Sequence, residues 1–174
     1  NIVLNSFFGP VMNAYYGISQ QINSTLKKFT ESFLKTFKPI AYKYEGDGKR
    51  LLMFDTINIM SKYGFFIALF IGIPIITQVK LILKIWIDSN NVETIVLSKL
   101  FIVLILVNII SSGAQTGLQA IGKIKYYQAT VGSLIIIIPL FSSILLTLGY
   151  PHYSALIASI IIEALSYFIR LNLL

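Results

Sequence analysis

Five stretches of this chain are mostly apolar over at least about 20 residues, the length an α-helix needs to cross the hydrocarbon core of a bilayer. They leave little room for anything else. Spanning helices are expected at about 11–38, 55–77, 94–120, 127–148 and 153–174, with residues 1–8 as the tail of an earlier helix. Hydrophobic residues fill 56% of the 174 positions and charged residues 12%, roughly half the charged share of a soluble domain. With the bilayer as solvent, backbone polar groups must be satisfied within each segment. The expected fold is therefore all-α: a polytopic transmembrane bundle of about five helices forming one domain over 1–174. Gly9-Pro10 opens the first helix, and Pro39 is expected to close it, because proline lacks the N–H that continues the ladder.

The loops orient the bundle. Lys43-Tyr44-Glu45-Gly46-Asp47-Gly48-Lys49-Arg50 and Gly122-Lys123-Ile124-Lys125 are basic, which marks cytoplasmic loops. Asp88-Ser89-Asn90-Asn91-Val92-Glu93 and Gly149-Tyr150-Pro151-His152 carry no lysine or arginine. Strict alternation places them outside and leaves Arg170 at the cytoplasmic end of the last helix. Residues 78–87, with Lys80 and Lys84 on one face and Trp86 beside them, suit either an interfacial helix or an extension of the second span. Pro74 and Pro139 lie inside the second and fourth helices and permit kinks.

The net charge of +7 is read as this topological bias and not as a nucleic-acid surface, since no basic run interleaved with aromatics lies on a soluble segment. Without cysteine there is no disulfide or thiolate metal site, and the single histidine, His152, makes no histidine cluster. No metal or cofactor is expected. Nothing before Phe7 is basic, so no signal peptide is expected, and the start at Asn1 inside an apolar stretch suggests a fragment.

The first helix carries most of the chemistry. Asn13, Gly17, Gln20, Ser24, Lys27, Lys28, Glu31, Lys35 and Lys38 recur at spacings of three, four and seven and so share a face. Tyr15, Ile22, Leu26, Phe29 and Phe33 cover the other. Lys27 stands about 16 Å along the axis from Lys38, near mid-membrane if Lys38 marks the boundary. An ion there costs about 2.5–3.5 kcal/mol or more unless it meets water or a partner. The stripe thus implies an aqueous lumen. A local ion-pair ladder is the simpler alternative, but Glu31 can neutralise only one of Lys27, Lys28 and Lys35. A soluble amphipathic helix would leave the other four helices without a matching surface.

On the third helix Asn108, Ser112, Gln115 and Gln119 form a polar line, with Gly113, Gly117 and Ala120 on the other side for close packing. On the fifth, Ser159, Glu163, Tyr167 and Arg170 line up. Glu163 is either a functional intramembrane carboxylate or a structural partner of Arg170 two turns on, or of a lysine elsewhere.

Several segments resemble a known family. They are Asn5-Ser6-Phe7-Phe8-Gly9-Pro10-Val11-Met12-Asn13-Ala14, Phe37-Lys38-Pro39-Ile40, Ser61-Lys62-Tyr63-Gly64-Phe65-Phe66, Leu83-Lys84-Ile85-Trp86, Ala120-Ile121-Gly122-Lys123-Ile124-Lys125-Tyr126-Tyr127-Gln128 and Leu148-Gly149-Tyr150-Pro151. In this order they resemble the Wzx-type polysaccharide-biosynthesis (O-antigen) flippases of the multidrug/oligosaccharidyl-lipid/polysaccharide exporter superfamily. The resemblance implies a MATE-like fold of two pseudo-symmetric bundles around a cationic cavity. This chain would be most of the second bundle, and its partners the missing N-terminal bundle, membrane lipids and a lipid-linked oligosaccharide. It also implies a multi-pass protein of the bacterial cytoplasmic (inner) membrane and no enzymatic activity. The expected function is export of undecaprenyl-pyrophosphate-linked oligosaccharide by alternating access, and the family's preference for a lysine in Ser61-Lys62-Tyr63 is met.

The candidate cavity residues are then Gln20, Ser24, Lys27, Lys28, Glu31, Lys35, Lys62, Asn108, Gln115, Gln119 and Glu163. A multidrug/cation antiporter of the same superfamily is the near alternative, and its cavity should be acidic. A membrane-embedded glycosyl- or acyltransferase is the distant one. It needs paired carboxylates, a His-Asp set or a metal, and Asp55, Asp88, Glu93 and His152 are expected on different sides of the membrane.

Overall fold

The computed structural model describes residues 2–174; Asn1 and the side chains of residues 2–6, 126, 130 and 135 lie outside the described residues. Five helices follow one another: α1 (Ile2–Gly46), α2 (Arg50–Ile87), α3 (Val92–Ala120), α4 (Ile124–Thr147) and α5 (Ser154–Leu173). No strand occurs among the described residues. Among the described residues, four segments are long and apolar enough to cross a membrane: all of α2, α3 and α5, and Tyr127–Thr147 of α4. The first helix is not among them, which corrects the expected count of five apolar spans. Its charged stripe sets it apart.

The Gly9-Pro10 break is present. Gly9 adopts φ 74° and ψ −175°, a conformation open to glycine, and the helix resumes at Pro10. Pro39, in contrast, does not end α1, which continues to Gly46. Losing one hydrogen bond at Pro39 is outweighed by what the next turn buries. Ala41 is fully buried and packs with Met53 and Ile57, and Tyr44 joins them. Residues 78–87 extend α2, because Val79 and Leu83 are buried in the bundle and hold the segment in line. Asp88, left-handed at φ 48°, closes α2 by donating its N–H to the Lys84 carbonyl, and Asn91 Oδ1 opens α3 by accepting from the N–H groups of Glu93 and Thr94.

Helix α3 is the hub. It packs against α1, α2 and α5, while α4 leans mainly on α5. The α2–α3 seam is close because Gly113 has no side chain: a Cβ there would overlap the Ile57 carbonyl oxygen and Ser61 Oγ. The Gly113 N–H donates to Ser61 Oγ across this seam (3.0 Å). Among the described residues the backbones of α1 and α5 do not approach each other. They stand apart on α3 and leave a cleft between them, with α4, which touches α1 as well as α5, along its other side.

The turns fall at two ends of the bundle. Ala41, Met53, Ile57, Ala120, Ile121 and Leu174 cluster at one end, joining the α1–α2 and α3–α4 turns. Tyr15, Tyr16, Leu97, Phe101, Tyr153 and Leu156 cluster at the other. The two basic loops therefore share an end, as the charge pattern requires.

Candidate functional site

The cleft between α1 and α5 is polar where the rest of the bundle is not. A cavity of about 360 Å³ is lined by Lys27, Glu31, Leu34, Lys35 and Lys38 of α1, Asn108, Ile109, Ser112 and Gln115 of α3, Tyr127 of α4, and Glu163 and Arg170 of α5. The helical period of α1 turns Lys27, Glu31, Leu34, Lys35 and Lys38 to one side, and that side faces the polar line of α3. A second cavity of about 240 Å³ adjoins it, with Asn23, Ser159 and Ile138 added. Lys27, Asn108 and Glu163 line both, so the polar track runs from Lys38 to Asn23. That is about 22 Å along α1 at 1.5 Å per residue.

A buried ionic cluster closes the α3–α5 wall. Arg170, 3% exposed, places Nη1 2.9 Å from Glu163 Oε1. The same carboxylate oxygen accepts from Asn108 Nδ2 at 3.1 Å and from Ser111 Oγ at 3.3 Å. Arg170 Nη1 also donates to Ser111 Oγ. The guanidinium lies 5.7 Å over the Tyr127 ring, a cation–π contact. Arg170 Nε is buried without a hydrogen-bond partner among the described residues. On the opposite wall Lys27 Nζ lies 3.7 Å from Glu31, both about half exposed. Four cationic side chains thus face two carboxylates across one cavity.

Of the residues expected from the sequence, Lys27, Glu31, Lys35, Asn108, Gln115 and Glu163 come together here. The others do not. Gln20 and Lys28 are exposed outside the cavity, and Ser24 Oγ donates to the Gln21 carbonyl (2.9 Å) on its own helix. Lys28 is one residue, and so about 100°, around the helix from Lys27. Lys62 is exposed, its Nζ 5.9 Å from the centroid of the Tyr63 ring. Gln119 Oε1 accepts from the Tyr42 hydroxyl at 2.9 Å in a separate shallow pocket at the end of α3.

Lys38, Ser112, Tyr127 and Arg170 line the cavity without being among the residues expected there. Lys38 and Ser112 already stood in the stripes, and Arg170 carried a signal in its spacing of seven from Glu163. Tyr127 carried none, because it enters from a helix with no polar stripe.

Glu93 and His152 fall on the same side of the bundle, as the shared placement of their loops implies, with Nε2 2.6 Å from Glu93 Oε2 and the imidazole flanked edge-on by Phe8 and Tyr153. The α3 N-terminus and the α4–α5 turn meet at this end, which brings the two together. No group of three metal-ligating side chains forms among the described residues. On the face of α1 turned to α2, a further cavity of about 460 Å³ is almost wholly apolar, lined by Ile22, Leu26, Phe29, Ile71, Ile75, Ile82 and Trp86 with Gln21 and Thr25.

Four apolar helices of membrane-spanning length, with a cationic cleft set against them, are consistent with a multi-pass helical membrane protein. No protein-family model, curated protein or solved structure matches the chain.

Proposed function

We propose that this chain is one bundle of a carrier that moves undecaprenyl-pyrophosphate-linked oligosaccharide from the cytoplasmic to the outer leaflet of the bacterial inner membrane by alternating access. The observation that carries the reading is the net-positive cleft between α1 and α5. A pyrophosphate head group needs cations and hydrogen-bond donors, and Lys27, Lys35, Lys38, Arg170 and Gln115 offer both. The lipid tail stays in the bilayer while the head group travels in the cleft. A second bundle completes the lumen, and rocking of one bundle against the other switches its opening. The loops around Gly48 and Gly122 face the cytoplasm in this scheme. A cation antiporter is less well supported, because lysines and an arginine outnumber the carboxylates here.

Two experiments test it. Single cysteines at Gly48 and Asn90 of the full protein label from opposite sides of the membrane; labelling from one side removes the topology. Lys27→Gln with Lys35→Gln lowers polysaccharide export at least tenfold at equal protein level. That expected loss is about the weakening from losing one charge-assisted hydrogen bond, worth ~1.5–3 kcal/mol. Lys28→Gln, outside the cavity, leaves export unchanged within about twofold. Normal export by the double variant ends the proposal.

A further inference from the structure

We propose that Glu163 is a resident counter-ion that an incoming anion displaces from Arg170, and that the displaced carboxylate then takes up one proton, so that anion binding in the cleft carries a proton with it. The inference rests on the reading of the cleft as an anion site. Its basis is the arrangement at Arg170. The guanidinium is almost wholly buried, its Nη1 is shared between Glu163 and Ser111, and its Nε has no partner among the described residues. An arginine does not deprotonate, so its charge is answered either by Glu163 or by a ligand.

Glu163 stands at the junction of the two cavities, its side chain 15% exposed, and so borders both Arg170 and the open lumen. The groups that face it are few. From α1 come Lys27, Lys35 and Lys38 with the carboxylate of Glu31; from α4 comes Tyr127; from α5 comes Arg170. Helix α3 contributes only the neutral Asn108, Ser111, Ser112 and Gln115, and α2 lines neither cavity. When an anion engages Arg170, Glu163 keeps Asn108 and Ser111 but loses its direct cation and gains a negative neighbour. A carboxylate that has lost its direct cation to a bound anion beside it, in a desolvated wall, accepts a proton. Glu31 does not share this fate, being half exposed and held beside Lys27. The step is simple in its balance: one proton leaves solvent and one carboxylate becomes a carboxylic acid, with no other bond made or broken.

The probe is inorganic sulfate, which does not titrate near neutral pH. Its binding to the purified full protein is measured by calorimetry in two buffers of different ionisation enthalpy. The expected result is close to one proton taken up per bound sulfate, with affinity falling about tenfold for each unit of rising pH. In Glu163→Gln both the uptake and the pH slope vanish and sulfate binds more tightly. His152→Gln, at the far end of the bundle, leaves the proton count unchanged. If Glu163→Gln does not fold, the proton count and slope of the unaltered protein decide alone. Sulfate binding without proton uptake overturns this inference and leaves the cleft as an anion site. Absence of binding by both sulfate and pyrophosphate overturns the inference and the anion-site reading together.

Discussion

Two glutamate–arginine pairs in this molecule have the same chemistry and glutamates about equally covered, but their arginines stand in opposite surroundings. Glu45 and Arg50 meet across the α1–α2 turn, where Glu45 is 14% exposed but Arg50 57%, and Arg50 offers both Nε and Nη2 to the carboxylate. Glu163 and Arg170 meet inside the bundle, at 15% and 4% side-chain exposure. The first pair trades water for a partner at little gain. The second has given up most of its water, so each member depends on the other and on Asn108, Ser111 and Tyr127. Solvent around the arginine, and not geometry, separates the two pairs. The buried pair is therefore a commitment of the fold, and the exposed one a detail of a turn.

The largest effect expected from this comparison comes from breaking the buried pair on its acidic side. Glu163→Gln leaves Arg170 charged and buried, and should destabilise the protein by about 3–5 kcal/mol, read as loss of helical signal on thermal melting in detergent. Arg170→Met should cost less, because the stranded Glu163 can take a proton and become neutral. Combining the two should recover part of the loss, since the double variant buries no charge. If Arg170→Met is the more damaging single change, Glu163 is not free to neutralise itself, and the proton-coupled inference loses its basis.

How much of this was legible in the sequence follows from where each signal lives. The α1 stripe was legible because helical period alone puts Lys27, Glu31 and Lys35 on one side, and the α3 polar line was legible for the same reason. Four of the five helices and the shared end of the basic loops followed from apolar length and charge bias, while α1 is too charged to be told by apolar length. The continuation through Pro39 was not legible, because it depends on Ala41 packing with Met53 and Ile57 from the next helix. Lys27 and Lys28 could not be separated without knowing where α3 stands, since either side of a broad stripe can face a partner. The Tyr127–Arg170 contact and the Glu93–His152 pair join separate helices and turns, and no local pattern encodes them.

The smallest effect belongs to the exposed pair, and it completes the comparison. Hydrogen bonding from Arg50 holds the Glu45 carboxyl below its ordinary range. A lowered pKa means that whatever the pair contributes is complete above the ordinary carboxylate value and disappears as pH falls through the lowered one. Glu45→Gln should therefore differ from the unaltered protein by a barely resolvable shift in melting temperature at neutral pH, and by nothing once the medium is acid enough to protonate Glu45. Arg50, left alone, stays in water and strands no buried charge. The measurement is a set of thermal melts of both proteins in detergent across the acid range. A neutral-pH gap as large as that of Glu163→Gln would mean that the α1–α2 turn, which joins the cluster of Ala41, Met53 and Ile57, depends on its ion pair as much as the cleft does. Solvent would then not be what separates the two pairs.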